Sequence, residues 1–194
     1  MAEEREMKLK VEDFTALKAR LRSLEARFLG MVLQTETYFD TADQRLFKED
    51  SGLRLRQVKK LHGRTSEEEL RPQLTFKGPR RPHGRVKIRP EIQVRLDDAR
   101  AITGLLKALG FEPSLVYQKR RSSYRLGRCR IELDEVPHLG RFVEVEGPDE
   151  RSIHSVCRRL KLQGRPILAP YTHLLADYCR TKGLSTRHIP FRRG

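Results

Sequence analysis

Several segments of the chain alternate charged and apolar residues with a period of two, which is the period of side chains along a β-strand. In the first segment Glu4, Glu6 and Lys8 share one face, and apolar residues share the other. The longest alternation, over residues 86–96, contains Pro90, which cannot donate a backbone hydrogen bond and should lie at an edge, at a bulge or between two elements. The predicted strands cover residues 4–11, 35–39, 52–58, 73–77, 86–96, 115–125, 128–136 and 141–147.

Apolar residues at helical spacing predict helices between these strands. Asp13 can cap a first helix that runs to about Phe28, and Asp97 or Asp98 starts a second helix that Gly110 ends. The other two predicted helices cover residues 150–162 and a segment that opens at Pro170. Residues 59–71 are polar and charged and are predicted to form an exposed loop.

The polar faces of the predicted strands are almost wholly ionic, whereas ordinary half-buried strands carry mixed polar residues on the solvent side. The helices also need an apolar surface to cover. A sheet that curls into a closed barrel meets both demands, since its charged faces line the lumen and its apolar faces meet the helices. We therefore predict an α+β fold built on a barrel or tunnel. The ionic positions are Glu4, Glu6, Lys8, Arg54, Arg56, Lys77, Lys87, Arg89, Glu91, Lys119, Arg121, Glu132, Asp134, Glu144 and Glu146.

Length and composition limit the remaining alternatives. The chain has 194 residues, which fits a single domain over residues 1–183 followed by a basic, flexible tail over residues 184–194. The net charge of +15 favours an anionic partner, and nucleic acid, phosphorylated metabolites and acidic membrane surfaces all qualify. The three cysteines match no zinc pattern and no disulfide framework, and no apolar run approaches membrane-spanning length. We therefore expect a cytoplasmic protein without a membrane partner.

A lumen lined by so many charges needs specific partners, because unpaired buried charge is strongly unfavourable. The cations favour a dense polyanion, and the carboxylates favour a hard cation. A triphosphate with Mg²⁺ or Mn²⁺ supplies both, since these ions prefer carboxylate and phosphate oxygens. Each segment alone would also fit a solvated strand face, but several such strands in one chain favour the enclosed site.

The ordered set of motifs resembles the CYTH domain family, also called the triphosphate tunnel metalloenzymes. The resemblance covers residues 3–180 and is specific as a set, although each motif alone is weak. The matching segments are Glu4-x-Glu6-x-Lys8, residues 37–41 (TYFDT), 52–56 (GLRLR), 74–78 (LTFKG), 89–91 (RPE), 119–124 (KRRSSY), 131–136 (IELDEV) and 139–146 (LGRFVEVE).

The resemblance implies a closed antiparallel barrel of about eight strands and a role for each matching residue. The implied metal ligands are Glu4, Glu6, Asp134, Glu144 and Glu146, with Glu132 as a weaker candidate. The implied triphosphate-binding residues are Lys8, Arg54, Arg56, Lys77, Lys119 and Arg121, of which Lys8, Arg54, Arg56 and Lys77 are also assigned to catalysis. Arg89 joins the substrate-binding set because it alternates in phase with Lys87 and Glu91. Gln93 departs from the family pattern, since many members carry a carboxylate there.

The family includes triphosphatases and class IV adenylyl cyclases, so two enzymatic functions stay open. We expect metal-dependent hydrolysis of inorganic, thiamine or nucleoside triphosphate, with conversion of ATP to cyclic AMP and pyrophosphate as the alternative. A non-catalytic polyphosphate- or RNA-binding protein is a third hypothesis, although nucleic-acid grooves seldom need repeated carboxylates. A monomer or a homodimer is expected.

Overall fold

In the computed structural model, which describes residues 2–83, 86–184 and 188–191, the chain folds around one sheet. The strands are β1 (Ala2–Val11), β2 (Arg27–Asp40), β3 (Gly52–His62), β4 (Gln73–Lys77), β5 (Arg81–His83), β6 (Val86–Arg95), β7 (Glu112–Leu126), β8 (Cys129–Val136), β9 (Gly140–Glu146) and β10 (His188–Ile189). The helices are α1 (Thr15–Ser23), α2 (Arg45–Lys48), α3 (Glu67–Leu70), α4 (Ala99–Ala108), α5 (Glu150–Arg159) and α6 (Tyr171–Lys182).

Within these described ranges, eight antiparallel strands form a closed ring in the order β1, β9, β8, β7, β2, β3, β4 and β6. The ring closes because β6 pairs with β1, from Glu91 opposite Ala2 to Lys87 opposite Glu6. Two short strands lie outside the ring: β5 pairs with β6 in antiparallel orientation, and β10 pairs with β7 in parallel orientation. The predicted closed eight-stranded barrel is therefore confirmed.

Pro90 marks the point where β6 changes partner. On one side of β6, residues 86–88 pair with β5 and residues 91–95 pair with β4. The backbone carbonyl of Pro90 accepts a hydrogen bond of 2.9 Å from the amide of Gly78 in the gap between these two pairings. A Cβ atom at Gly78 would lie 2.6 Å from the Pro90 ring, so this close approach requires glycine. The strand continues through the proline because its missing donor falls between two partners.

Helices cover the outer face of the barrel at two places. Helices α1 and α5 pack on β1, β8 and β9 through Leu21, Ile153 and other buried apolar residues. Helix α4 packs on β2 and β3, where Leu106 contacts Phe39 and Leu55. No helix among the described residues is long and apolar enough to cross a membrane.

The predicted first helix was too long. Helix α1 ends at Ser23, because Glu25 takes a left-handed conformation with φ of 55° and the chain turns into β2. Phe28 is therefore a strand residue, and its ring packs 5.1 Å from the ring of Tyr124 on the neighbouring strand β7. Residues 59–71 also differ from the predicted loop, since β3 continues to His62 and a capping box at Ser66 starts the single turn of α3.

Part of the predicted flexible tail contacts the barrel. Ile189 on β10 is buried and pairs with Tyr117 on β7, and the guanidinium of Arg120 lies 4.1 Å from the centre of the Phe191 ring. Residues 188–191 of the predicted tail therefore pair with the barrel through the buried Ile189, and the flexibility of the tail stays a prediction. The rest of that prediction, over 185–187 and 192–194, lies outside the described residues.

Candidate functional site

Alternate residues of the eight barrel strands direct charged side chains into the lumen. Lys77 on β4 contacts Glu4 on β1 although β6 lies between these strands, so the contact passes through the barrel interior. Nearly equal numbers of cations and carboxylates are buried: Lys8, Arg54, Lys77, Lys87, Arg89 and Lys119 against Glu6, Glu36, Asp40, Glu91, Glu132, Asp134 and Glu144. All these carboxylates except Asp40, which accepts hydrogen bonds from the amides of α2, belong to the barrel lumen.

One ion-pair cluster joins β1, β4 and β6. The Lys77 ammonium lies 3.2 Å from a carboxylate oxygen of Glu4 and also contacts Glu91, while Lys87 contacts Glu6. Burial raises the pKa of Glu4, but the nearby charges of Lys77 and Lys87 outweigh it and hold this pKa well below its ordinary value. Glu4 is therefore ionised at neutral pH.

A second cluster joins β1, β7, β8 and β9. The Arg121 guanidinium donates a hydrogen bond of 2.6 Å to Asp134 and also pairs with Glu144. Lys119 lies 3.0 Å from Asp134, and Lys8 lies 3.7 Å from Glu144. Burial raises the pKa of Glu144, but the nearby charges of Arg121 and Lys119 lower it by more. The pKa of Glu144 is therefore held well below its ordinary value.

A third cluster, on β2 and β3, was missed from the sequence. Glu36 is completely buried between Arg54 and Arg56, with its carboxylate 3.3 Å and 2.9 Å from their Nε atoms. Glu36 has the same strand parity as Gln34, but the β-forming composition of residues 35–39 does not by itself show which side chains face the lumen. A count of alternation from residue 34 onward would have placed Glu36 on the lumen face.

Tyr171 was also missed, and it closes one end of the lumen from α6. Its hydroxyl donates a hydrogen bond of 3.2 Å to Asp134, and its ring lies 4.4 Å from the Lys8 ammonium and 5.2 Å from the Lys119 ammonium. Cation–π contacts of this kind favour a fixed position for both lysines. No pattern in the sequence points to this residue, because the apolar spacing in this segment predicts only a packing helix.

Arg89 is already engaged by backbone groups. Its guanidinium donates hydrogen bonds to the carbonyl oxygens of Gly78, Lys77 and Asp50, at distances from 2.5 to 3.3 Å. These contacts tie β6 to the ends of β3 and β4. These contacts engage Nε and Nη2 of Arg89, and its binding of triphosphate stays a prediction.

Nearby cations do not fully offset the negative charge of Glu146, which lies close to Glu4 and Glu6. Glu146 lies directly opposite Glu6 in the β1–β9 pairing. Burial, together with the charges of Glu4 and Glu6, raises the pKa of Glu146 from 4.5 to about 7. Like charges opposite each other destabilise a sheet, and a hard divalent cation relieves this repulsion through oxygen ligands. The donor set around Glu146 therefore fits Mg²⁺ or Mn²⁺.

The predicted metal ligands divide into two groups. Glu4, Glu6 and Glu146 converge at one end of the lumen, whereas Asp134 and Glu144 pair with Arg121. Across the described part of the chain, no three His, Cys, Asp or Glu side chains already stand in a metal-binding arrangement.

Two cavities adjoin the lumen. One of about 280 Å³ opens near α3 and is lined by Glu4, Arg56, Arg121 and Glu146 among others. The second, of about 320 Å³, lies beside α6 and α2 and is largely apolar. Lys77 and Arg89 line it on the lumen side, and the stacked rings of Phe47 and His173 lie at its wall.

Comparison with known proteins gives consistent matches to one family. The profile of the CYTH domain matches residues 2–159. A protein of Methanocaldococcus jannaschii named "putative adenylate cyclase" is 29% identical over 141 residues, which cover 73% of this chain and 74% of that protein.

Solved structures share the fold over nearly the whole chain. A protein of Pyrococcus horikoshii superposes with a TM-score of 0.70 at 25% identity and covers 87% of this chain and 96% of its own. A Hippeastrum "putative adenylyl cyclase" with a dominant triphosphatase activity has a TM-score of 0.69 at 18% identity, covering 94% and 97% of the two chains. The barrel, its charged lumen and the profile match agree, and the chain belongs to the CYTH domain family.

Proposed function

We propose that the protein cleaves a small triphosphate inside the barrel with the help of a divalent metal ion. The observation that carries this proposal is the enclosed lumen in which buried cations and carboxylates are nearly equal in number and paired with one another. A triphosphate can take over the cations of these pairs, and a hard cation can take over the carboxylates. Catalysis would then depend mainly on positioning and electrostatic stabilisation.

The residues of the lumen receive distinct roles under this proposal. Glu4, Glu6 and Glu146 would hold the metal, with Asp134 and Glu144 as further candidate ligands. The bound ion would supply Lewis-acid activation of the phosphate and of water. The cations that bind the phosphate oxygens and neutralise charge on the leaving group are Lys8, Arg54, Arg56, Lys77, Lys119 and Arg121.

Substrate binding would exchange the partners of the ion pairs. Lys77 would leave Glu4 for a phosphate oxygen, and Arg121 would divide its donors between Glu144 and the substrate. Arginine suits this exchange, because its fork can bind a phosphate in bidentate geometry. The carboxylates released in this way become available to a metal ion, so metal and triphosphate should bind with positive cooperativity.

An adenylyl cyclase is the second candidate, favoured by the apolar cavity beside α6. In that reaction the ribose 3′-oxygen attacks the α-phosphorus and pyrophosphate leaves, so adenosine must occupy a site beside the phosphates. The 320 Å³ cavity adjoins Lys77 and has stacked rings at its wall, which gives room for an organic group. An inorganic triphosphate would leave this cavity without a role.

A substrate panel separates the two candidates. Pure protein is incubated with ATP, thiamine triphosphate and inorganic triphosphate, each with Mg²⁺ and with Mn²⁺, and the products are separated by ion-exchange chromatography. Orthophosphate as the product supports hydrolysis, whereas cyclic AMP with pyrophosphate supports the cyclase. Absence of turnover of all three substrates would contradict both candidates.

A further inference from the structure

Glu36 is the most enclosed carboxylate that the proposed reaction does not use. It has no exposed surface, and its register partner across β2 and β3 is Arg56. Burial raises the pKa of Glu36, but Arg56 and Arg54 overcome this and hold it at about 2. A charge in this position is costly unless its partners are fixed, so the three side chains form one unit.

The carboxylate of Glu36 contacts the inner edge of each guanidinium. One oxygen accepts a hydrogen bond of 2.9 Å from Nε of Arg56, and the other lies 3.3 Å from Nε of Arg54. Arg54 donates from Nη2 to the hydroxyl of Thr75 at 3.1 Å. Within the described ranges the terminal nitrogens of Arg56 donate no hydrogen bond, and Arg56 lines the 280 Å³ cavity.

We infer that Glu36 is a positioning residue, which orients Arg54 and Arg56 to bind the triphosphate through their terminal nitrogens. Its contacts occupy the Nε edges and leave the fork of Arg56 available, whereas Arg54 also donates from Nη2 to Thr75. Without Glu36, the buried Arg54 and the half-buried Arg56 on one strand face would repel each other and turn toward other acceptors. This inference rests on the proposed function, because it assigns the arginine pair to the same substrate.

The positioning role and a simple charge effect predict opposite results. Glu36 places a negative charge beside a site for a polyanion, so its neutralisation should strengthen triphosphate binding if only the electric field matters. If the geometry of the arginines dominates, neutralisation should weaken binding, because charge-assisted hydrogen bonds depend strongly on orientation. The sign of the change therefore separates the two effects.

The test is calorimetric titration of inorganic triphosphate into Glu36→Gln, Glu36→Asp and the unaltered protein, without divalent metal. Glu36→Gln should bind at least roughly tenfold more weakly, the loss expected when hydrogen bonds to a charged group are disrupted. Glu36→Asp keeps the charge but is one methylene shorter, so it should also bind more weakly. The matched control is Glu135→Gln, which removes a carboxylate paired across strands with Arg120 on the outer face and should bind within about twofold of the unaltered protein.

Equal or tighter binding by Glu36→Gln would overturn the inference, as would Glu36→Asp binding like the unaltered protein. If Glu36→Gln does not fold, as judged by circular dichroism, Glu36→Asp alone decides. Failure of the proposed function has a different signature: the unaltered protein would bind triphosphate but cleave none of the panel, while the Glu36 variants still bound it less. If the unaltered protein bound no triphosphate either without metal or with Mg²⁺, the arginine pair would hold no such ligand and both proposals would fall.

Discussion

Among single residues, Glu146 gives the clearest dependence of stability on pH. Its pKa is raised from 4.5 to about 7 by burial and by the charges of Glu4 and Glu6. Between these two values the folded protein holds the proton more tightly than the unfolded chain, so this group makes the free energy of unfolding fall as pH rises from 4.5 to 7.

Replacement of Glu146 by Gln should therefore stabilise the metal-free protein at pH 8 by about 2 kcal/mol, since each unit of pKa shift corresponds to about 1.4 kcal/mol and partial exposure reduces the total. Urea unfolding in the presence of a chelator, at pH 4.5 and pH 8, measures the difference. The two proteins should be nearly equal at pH 4.5. A variant that is less stable than the unaltered protein at pH 8 would show that Glu146 is paired rather than strained.

Arg56 on β3 and Arg89 on β6 both occupy strand positions predicted to face the lumen, but they make different contacts. Their replacement should therefore have different effects. Arg89→Ala leaves buried carbonyls of Gly78 and Lys77 without donors, which should lower the free energy of unfolding by roughly 2–4 kcal/mol. Arg56→Ala should instead raise KM for the triphosphate and cost less stability. Thermal unfolding and steady-state kinetics on both variants check this contrast, and a larger KM effect for Arg89→Ala would restore it to the substrate-binding set.

At the scale of elements, the short strand β10 fastens the chain after α6 to the barrel. Ile189→Ala should lower the free energy of unfolding by about 2–4 kcal/mol, because it removes buried methyl groups and leaves a cavity. Ile92→Ala is the matched control, since Ile92 is 51% exposed on β6 and its truncation should cost under about 0.5 kcal/mol. Equal losses in guanidinium unfolding would mean that β10 does not pack on β7 in solution.

Most of the barrel strands were predictable from the sequence because their ionic and apolar faces alternate, although the three-residue strand β5 was not predicted. Pattern alone did not reach β10 or the start of β2, since a two-residue strand has no period and Phe28 fits a helical spacing equally well. The same limit applies to the site: Glu4, Glu6 and Lys8 follow from alternation, whereas the contact of Tyr171 with Asp134 depends on where α6 docks. Tertiary packing decides such positions, and no local pattern encodes it.

At the scale of the whole molecule, the charge balance of the lumen places the surplus positive charge on the exterior. Buried cations and carboxylates nearly cancel, so most of the net charge of +15 belongs to exposed lysines and arginines. We expect weak, sequence-independent binding of nucleic acid at low salt, which should fall steeply as salt is raised. Fluorescence anisotropy with a labelled oligonucleotide should give the same affinity for Glu6→Gln and for the unaltered protein, with or without chelator. Binding that requires Glu6 or metal would instead place nucleic acid in the lumen.

The barrel lumen is proposed to hold metal and triphosphate together. Phosphorus NMR of the triphosphate panel, with Mg²⁺ and with chelator, measures cleavage by the unaltered protein, Glu6→Gln and Glu135→Gln. We expect metal-dependent cleavage by the unaltered protein and by Glu135→Gln, and a rate reduced roughly a hundredfold or more in Glu6→Gln. Cleavage that persists undiminished in Glu6→Gln, or that proceeds equally well with chelator, would contradict this proposal.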